Sequence, residues 1–285
     1  MEQKAEQRAT QENAAAHQSL DTVIVAQAGA LNLRSAAAIV VRMDDGRALY
    51  AKNTGEVLPI ASITKLMTAM VVLDSRLSLI EPITITTADI DRIKGTRSRL
   101  KVGVKLARGK LLRLALMSSE NRAAAALTRA YPGGARTFVA AMNQKAVELG
   151  MWRSRFVEGT GLSSDNVSTA RDLAIMVKAA YDYPLIREYT TEPAYAVKVA
   201  KGRTLRYRNS NRLIQNTKWD IGLSKTGYIR EAGRGLVMQT IIAATPVIIV
   251  LLDSSGRLTR IRDANRIRKW IETNRLRQVT GPPES

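Results

Sequence analysis

The sequence predicts an α/β protein: a five-stranded antiparallel sheet flanked by helices, with a mostly helical segment beside it. Three observations lead there. Strand-like runs fall into two sequence-distant groups, Ser35 to Ala51 and Gly222 to Asp253. Helical patterns occupy most of the chain between them, and a strongly basic helical run follows the last strand. At 285 residues the chain can bury one large core, or one core with a smaller lobe grafted on.

Taken in order, residues 1–30 are rich in Gln, Glu and Ala and read as a tail. Ser35 to Met43 is apolar, with β-branched Ile39, Val40 and Val41. The turn Asp44-Asp45-Gly46 and the run Arg47 to Ala51 complete a hairpin signal. Pro59 precedes Ser62 to Asp74, whose length, alanines and methionines favour a buried helix over a strand. Leu111 to Met117 and Ala123 to Ala130 read as two helices broken at Ser118-Ser119-Glu120-Asn121. Further helices are expected at Ala135 to Leu149 and Thr169 to Tyr181.

Strand character returns at Gly222 to Ile229, then at Gly235 to Ala243 and Val247 to Asp253. The apolar stretch Leu236 to Leu252 is broken by Gln239, Thr240, Thr245 and Pro246, so it reads as two strands around a turn rather than a membrane-spanning helix. A basic helix from about Leu258 to Asn274 and a short tail with Pro282-Pro283 close the chain. The expected organisation is a tail over 1–30, one domain over 31–278 and a tail over 279–285. Within the domain, the sheet part takes about 31–75 and 206–278, and the helical part about 76–205.

Composition removes several chemistries. The chain has no cysteine, which excludes thiol catalysis, disulfides and cysteine-ligated zinc. Its single histidine, His17, lies in the polar tail, so a Ser-His-Asp triad and a histidine-based metal site both lack their residue inside the fold. A serine nucleophile here needs another base. The formal net charge is +19 for the whole chain, but the first 30 residues are net acidic and the rest carries +21, which should draw the folded part to anionic partners, whether nucleic acid, a membrane surface or a carboxylate-rich polymer. Only 5% of residues are aromatic, and no helix-turn-helix, zinc-finger or RNA-binding signature is present, so nucleic acid is not expected.

Ser62-Ile63-Thr64-Lys65 opens the buried helix. Positions i and i+3 share a helix face, so the Lys65 amine can reach the Ser62 hydroxyl. Burial and the helix N-terminus both lower a lysine's pKa toward that of a usable base. The pattern also permits a plain N-capping serine followed by a solvated lysine. Ser98-Arg99-Leu100-Lys101 has the same spacing but lies among alternating charges with no apolar helix after it, so spacing alone is no warrant. What separates Ser62 is its company: Ser119-Glu120-Asn121 at a helix–helix junction, and Lys225-Thr226-Gly227 on a strand. Ser-x-x-Lys, Ser-x-Asn and Lys-Thr-Gly in that order are the signature of penicillin-recognising serine acyl-transferases. Ser164-Asp165-Asn166 also fits the middle motif, but reads as a turn cluster capping the next helix.

On these motifs the sequence resembles the low-molecular-mass penicillin-binding proteins of the serine D-Ala-D-Ala peptidase family, most closely the D-alanyl-D-alanine endopeptidase branch. The resemblance runs from about Ser35 to Trp270 and includes Ala61 to Thr68, Met117 to Arg122, Gly161 to Ser164, Ser168 to Leu173 and Lys225 to Tyr228. It implies a β-lactamase/transpeptidase-like fold, no cofactor, peptidoglycan as substrate and β-lactams as covalent inhibitors. Ser62 would attack a D-alanyl carbonyl and form an acyl-enzyme, with Lys65 taking its proton. Ser119 and Asn121 would pass a proton to the leaving amine and hold the substrate amide. Lys225 would orient the network, Thr226 would bind the substrate, and Gly227 would let its backbone approach. The backbone N–H groups of Ser62 and Tyr228 would form the oxyanion hole. Arg260, between the last strand and the last helix, lies where the family can hold the substrate carboxylate; solvated surface charge is the alternative for that arginine-rich segment.

The resemblance further implies an exported, periplasmic enzyme, with the N-terminal residues a processed or re-initiated end and at most peripheral contact with an anionic membrane. Three other readings use the same residues. A D-Ala-D-Ala carboxypeptidase shares the acylation chemistry. A class A-like β-lactamase would need a carboxylate to activate the deacylating water, and Glu158 lies on the loop where one would sit, although its neighbours resemble the peptidase loop. A catalytically inactive basic binding protein would account for the charge alone.

Overall fold

The computed structural model describes residues 31–199 and 202–279, so the tail expected over 1–30 lies outside the described residues, as does all of the C-terminal tail but Val279. In chain order the first elements are β1 (Ala37–Arg42), β2 (Ala48–Lys52) and β3 (Leu58–Pro59), then a 3₁₀ turn over Ala61–Thr64 and helix α1 (Lys65–Asp74). They are followed by β4 (Pro82–Thr84), β5 (Lys105–Ala107), α2 (Arg108–Met117), α3 (Asn121–Arg129) and α4 (Gly134–Glu148). Next come β6 (Val167–Ser168), α5 (Ala170–Tyr181), α6 (Pro184–Thr191), β7 (Ala194–Lys198) and β8 (Thr204–Arg208). The chain ends with β9 (Asp220–Ile229), β10 (Gly233–Ile242), β11 (Thr245–Ser254) and α7 (Thr259–Val279).

The two strand groups meet in one five-stranded antiparallel sheet of order β2-β1-β11-β10-β9. Successive side chains point to opposite faces, so each strand feeds two cores. Ala37, Ile39, Val41, Val237, Val250 and Leu252 pack toward α1 and α5. Ala38, Val40, Leu236, Met238, Ile249 and Leu251 pack toward Ala264, Ile267 and Ile271 of α7. The apolar stretch Leu236 to Leu252 does form two strands, and the residues between them, Ala243 and Ala244, turn the chain with φ of 47° and 60°. Among the described residues no helix is long and apolar enough to cross a membrane.

Several expectations change. The helix expected from Ser62 begins at Lys65; Ser62 itself sits in the 3₁₀ turn that leads into it. Helix α6 and the hairpin β7–β8 were not expected at all. Helix α5 falls within the sequence range assigned to the helical part, yet it packs on β1, β10 and β11. The chain therefore leaves the sheet after α1, builds α2, α3 and α4, and returns to cover the sheet before the last three strands form. β9 ends up as an edge strand facing the turn that carries Ser62.

Candidate active site

Ser62 and Lys65 are brought together by a turn rather than by a regular α-helix. In a 3₁₀ turn, side chains at i and i+3 eclipse, which aligns the pair more closely than α-helical spacing would. Ala61, just before Ser62, has a φ of 47°, an unusual conformation for a residue with a Cβ. Gly161 makes that turn possible. Its φ is 76°, and a Cβ there would lie 2.0 Å from the Ala61 carbonyl oxygen.

Lys65 is buried and has three contacts. Its Nζ lies 2.8 Å from Ser62 Oγ, donates over 2.8 Å to Asn121 Oδ1, and donates to the Thr160 carbonyl. Two of these partners can only accept. A neutral Lys65 thus spends both N–H bonds on Asn121 and Thr160, and its lone pair is left for the Ser62 hydroxyl proton. Burial lowers the lysine's pKa to about 8, against the opposing pull of Glu158, Glu120 and Asp91.

Asn121 is itself held in one orientation. Its Nδ2 donates over 3.0 Å to Thr96 Oγ1. The Thr96 hydroxyl in turn donates over 2.6 Å to Asp91, which also accepts the backbone N–H groups of Ile93, Lys94 and Thr96. A carboxylate can only accept, so this chain of bonds aims the Asn121 oxygen at Lys65. Sequence reasoning missed Asp91, Thr96 and the Thr160 carbonyl. The first two belong to a turn with no motif, and a backbone carbonyl has no sequence identity to read.

The junction between α2 and α3 presents Ser119 with a φ of 61°. Its Oγ accepts over 2.9 Å from Lys225 Nζ, which also donates over 3.0 Å to the Thr226 carbonyl. Lys225 is fully buried on β9; burial first, then the charges of Lys65 and Arg260, push its pKa well below the ordinary lysine value. Thr226 Oγ1 donates over 2.8 Å to Ser210. At Gly227 a Cβ would lie 2.8 Å from the Ile60 carbonyl oxygen, so glycine lets β9 approach the Ser62 turn. Tyr228 is exposed, with the Arg234 guanidinium 4.2 Å from its ring centre. Arg260 reaches the Gly227 carbonyl at 3.5 Å, and burial followed by the charge of Arg234 lowers its pKa to about 10. Beside Ser210 and Arg260 opens a cavity of about 210 Å³ that Arg212, Arg234 and Arg257 also line. A second cavity of about 370 Å³ borders Asn121 and Thr160 and is lined by Ile90, Ile93 and Leu162.

The remaining candidates lie elsewhere or do other work. Ser98 is in a loop, its Oγ accepting from the Leu100 N–H, and Lys101 is exposed. Asn166 is buried and brackets a loop: its Oδ1 accepts from Val157 N–H and its Nδ2 donates to Glu158 and Thr64. Contrary to the sequence expectation, the turn around Ser164 does not cap α5; Thr169 does, accepting from the Asp172 N–H. Glu158 is saturated. Its carboxylate accepts from the N–H groups of Thr160, Gly161 and Leu162, the Thr160 hydroxyl and Asn166. It holds the loop that offers the Thr160 carbonyl to Lys65.

Comparison with known proteins places the chain in a family. The family model described as D-alanyl-D-alanine carboxypeptidase, peptidase S11, matches residues 22–256. The chain is 50% identical over 252 residues to a D-alanyl-D-alanine endopeptidase of Pseudomonas aeruginosa, covering 88% of this chain and 80% of that one. It is 46% identical over 248 residues to the Escherichia coli K12 D-alanyl-D-alanine endopeptidase, covering 87% and 80%. Among solved structures, the Streptomyces K15 DD-transpeptidase superposes with a TM-score of 0.78 at 27% identity, over 84% of this chain and 97% of that one. With the ordered motifs meeting in one cleft and the family model spanning most of the chain, the protein belongs to the D-alanyl-D-alanine carboxypeptidase family of serine peptidases, peptidase S11.

Proposed function

We propose that the protein is a periplasmic serine D-alanyl-D-alanine endopeptidase that cleaves peptidoglycan cross-links through a Ser62 acyl-enzyme and is inhibited by β-lactams. The observation that carries this reading is the triple contact of Lys65, which leaves a neutral amine only one role, acceptance of the Ser62 proton. Ser62 Oγ attacks the D-alanyl carbonyl as its proton passes to Lys65 Nζ. The oxyanion forms against the backbone N–H groups of Ser62 and Tyr228, each such donor contributing ~3 kcal/mol.

The tetrahedral adduct collapses to a Ser62 ester. The C–N bond breaks, and the leaving amine collects a proton by way of Ser119, which Lys225 holds in place. Thr226 and Arg260 take the carboxylate next to the scissile bond, and Asn121 holds the substrate amide. Water then attacks the ester with Lys65 again as base, releasing the acid and restoring Ser62. The saturation of Glu158 supports a peptidase over a class A-like β-lactamase, because every accessible acceptor direction is already used within its own loop. The net charge of +19 suits an anionic polymer or a membrane surface as a peripheral contact.

Two measurements test the proposal. Fluorescent penicillin should label the protein stoichiometrically, label Ser98→Ala equally and fail to label Ser62→Ala. Digestion of purified peptidoglycan should remove cross-linked dimers. Release of terminal D-alanine from pentapeptides with dimers untouched would instead make it a carboxypeptidase.

A further inference from the structure

The 210 Å³ cavity beside the cleft holds more positive charge than the proposed reaction uses. Four guanidinium groups line it, from three parts of the chain: Arg212 in the turn after β8, Arg234 on β10, and Arg257 and Arg260 at the start of α7. No carboxylate lines it. Arg212 and Arg257 have no ion pair or hydrogen bond among the described residues. Arg234 is stacked on Tyr228, and Arg260 has one long bond to a carbonyl. Arg260 also bears the repulsion of Arg234 without a counter-charge to offset it. An anion entering the cavity relieves that repulsion and meets donors on several sides.

The cavity is also large for a single carboxylate. One water needs only ~10–15 Å³ on the same measure, so there is room for a peptide segment with its charge. Its wall includes Ser210, which accepts from Thr226, and Arg260, which reaches Gly227, so it continues directly from the place assigned to the carboxylate beside the scissile bond.

We infer that Arg212, Arg234 and Arg257 form a second carboxylate subsite, which takes a leaving peptide carrying an acid group beyond the one held by Thr226 and Arg260. This rests on the D,D-peptidase reading above and gives that site a basis for substrate choice. Cleaving a bridge releases an amine that belongs to a second stem peptide with its own terminal carboxylate. Cleaving a terminal D-alanine releases an amine with one carboxylate. Only the bridged substrate can use the extra arginines.

The test is the double variant Arg212→Gln/Arg257→Gln, two exposed positions whose change leaves the core untouched. Three rates are compared with wild type: cleavage of a purified cross-linked muropeptide dimer, release of D-alanine from the monomeric pentapeptide, and acylation by benzylpenicillin. The dimer should lose about tenfold in kcat/KM, chiefly through KM, while the other two rates stay within about twofold. A dimer amidated at the terminal carboxylate of the acceptor stem should lose the same factor on wild type and show no further loss on the variant. An equal loss on both substrates, an unchanged rate on the dimer, or additive losses with the amidated dimer would overturn the subsite. A wild-type protein that neither labels with penicillin nor cleaves either substrate would overturn the peptidase reading itself.

Discussion

In the proposed mechanism one buried side chain, Lys65, sets the working pH. Its amine is shut away from water at the foot of the cleft, which disfavours the ammonium and brings the pKa to about 8 from 10.5. The sign follows directly: the amine is protonated below about 8 and free to take the Ser62 proton above it. The rate of acylation by benzylpenicillin should therefore rise with pH, about tenfold per unit in the acid limb, and level off above about 8. Stopped-flow acylation across pH 6 to 10 measures this, and a flat profile would remove Lys65 as the base. Lys65→Arg should lose at least ~10²-fold at every pH, because a guanidinium cannot deprotonate in this range. The same scale explains the backbone at Ala61 and Ser119. Both are non-glycine residues at positive φ, and each sits where a reacting hydroxyl must be presented at an angle regular structure does not offer.

Two loops do the positioning that the helices and strands cannot. The loop over 158–163 is folded around the Glu158 carboxylate and delivers the Thr160 carbonyl to Lys65. Glu158→Gln replaces an all-accepting group with one that must also donate, against backbone N–H groups that also donate. It should lower unfolding free energy by ~2 kcal/mol and slow acylation and decay of the acyl-enzyme together, because Lys65 is the base in both steps. Chemical denaturation and the decay of the penicillin adduct read these separately. A long-lived adduct with normal acylation would instead make Glu158 a deacylating base. The loop over 91–96 orients Asn121 through Thr96 and is tied to the turn between β9 and β10 by the Lys94–Glu231 ion pair at 2.5 Å. Thr96→Val keeps the shape and removes that acceptor, so turnover of the peptide substrate should fall while thermal stability changes little.

At the scale of the molecule, the sheet depends on closing its first and last segments together. Asp263 on α7 is fully buried, and its Oδ2 accepts from the N–H groups of Arg34 and Ser35 at 2.9 and 2.8 Å and from the Ser35 hydroxyl. Its other oxygen pairs with Arg266 at 3.0 Å. This clamps the lead into β1 against the helix that covers the outer face. Asp263→Ala leaves those donors buried and unpaired, which should cost ~3 kcal/mol and lower the Tm by about 10 °C. The pair Ser62 and Lys65 is built on the other face, so penicillin labelling at 25 °C should remain stoichiometric. Loss of labelling without loss of stability would contradict this separation.

The order of the three motifs, the absence of cysteine and the placing of the lone histidine in the tail were all legible in the sequence, because they are statements about which side chains exist. So were the five strands: β-branched runs mark β1, β10 and β11, the turn Asp44-Asp45-Gly46 marks β2, and β9 was read from the short run around Lys225-Thr226-Gly227. Other features were not legible. The turn between β10 and β11 was expected just before Val247, but its exact place was not: the chain turns at Ala243-Ala244, without glycine or asparagine. The hairpin β7–β8 carries Lys198, Arg206 and Arg208 on its outer face, and only the burial of Val197, Leu205 and Tyr207 shows its inner one. Composition and order alone thus determined which family of chemistry this chain could perform. The tertiary structure decided that Ser62, rather than Ser98 at identical spacing, meets a buried lysine: a lysine's pKa depends on the water excluded around it, and exclusion is a property of packing rather than of sequence.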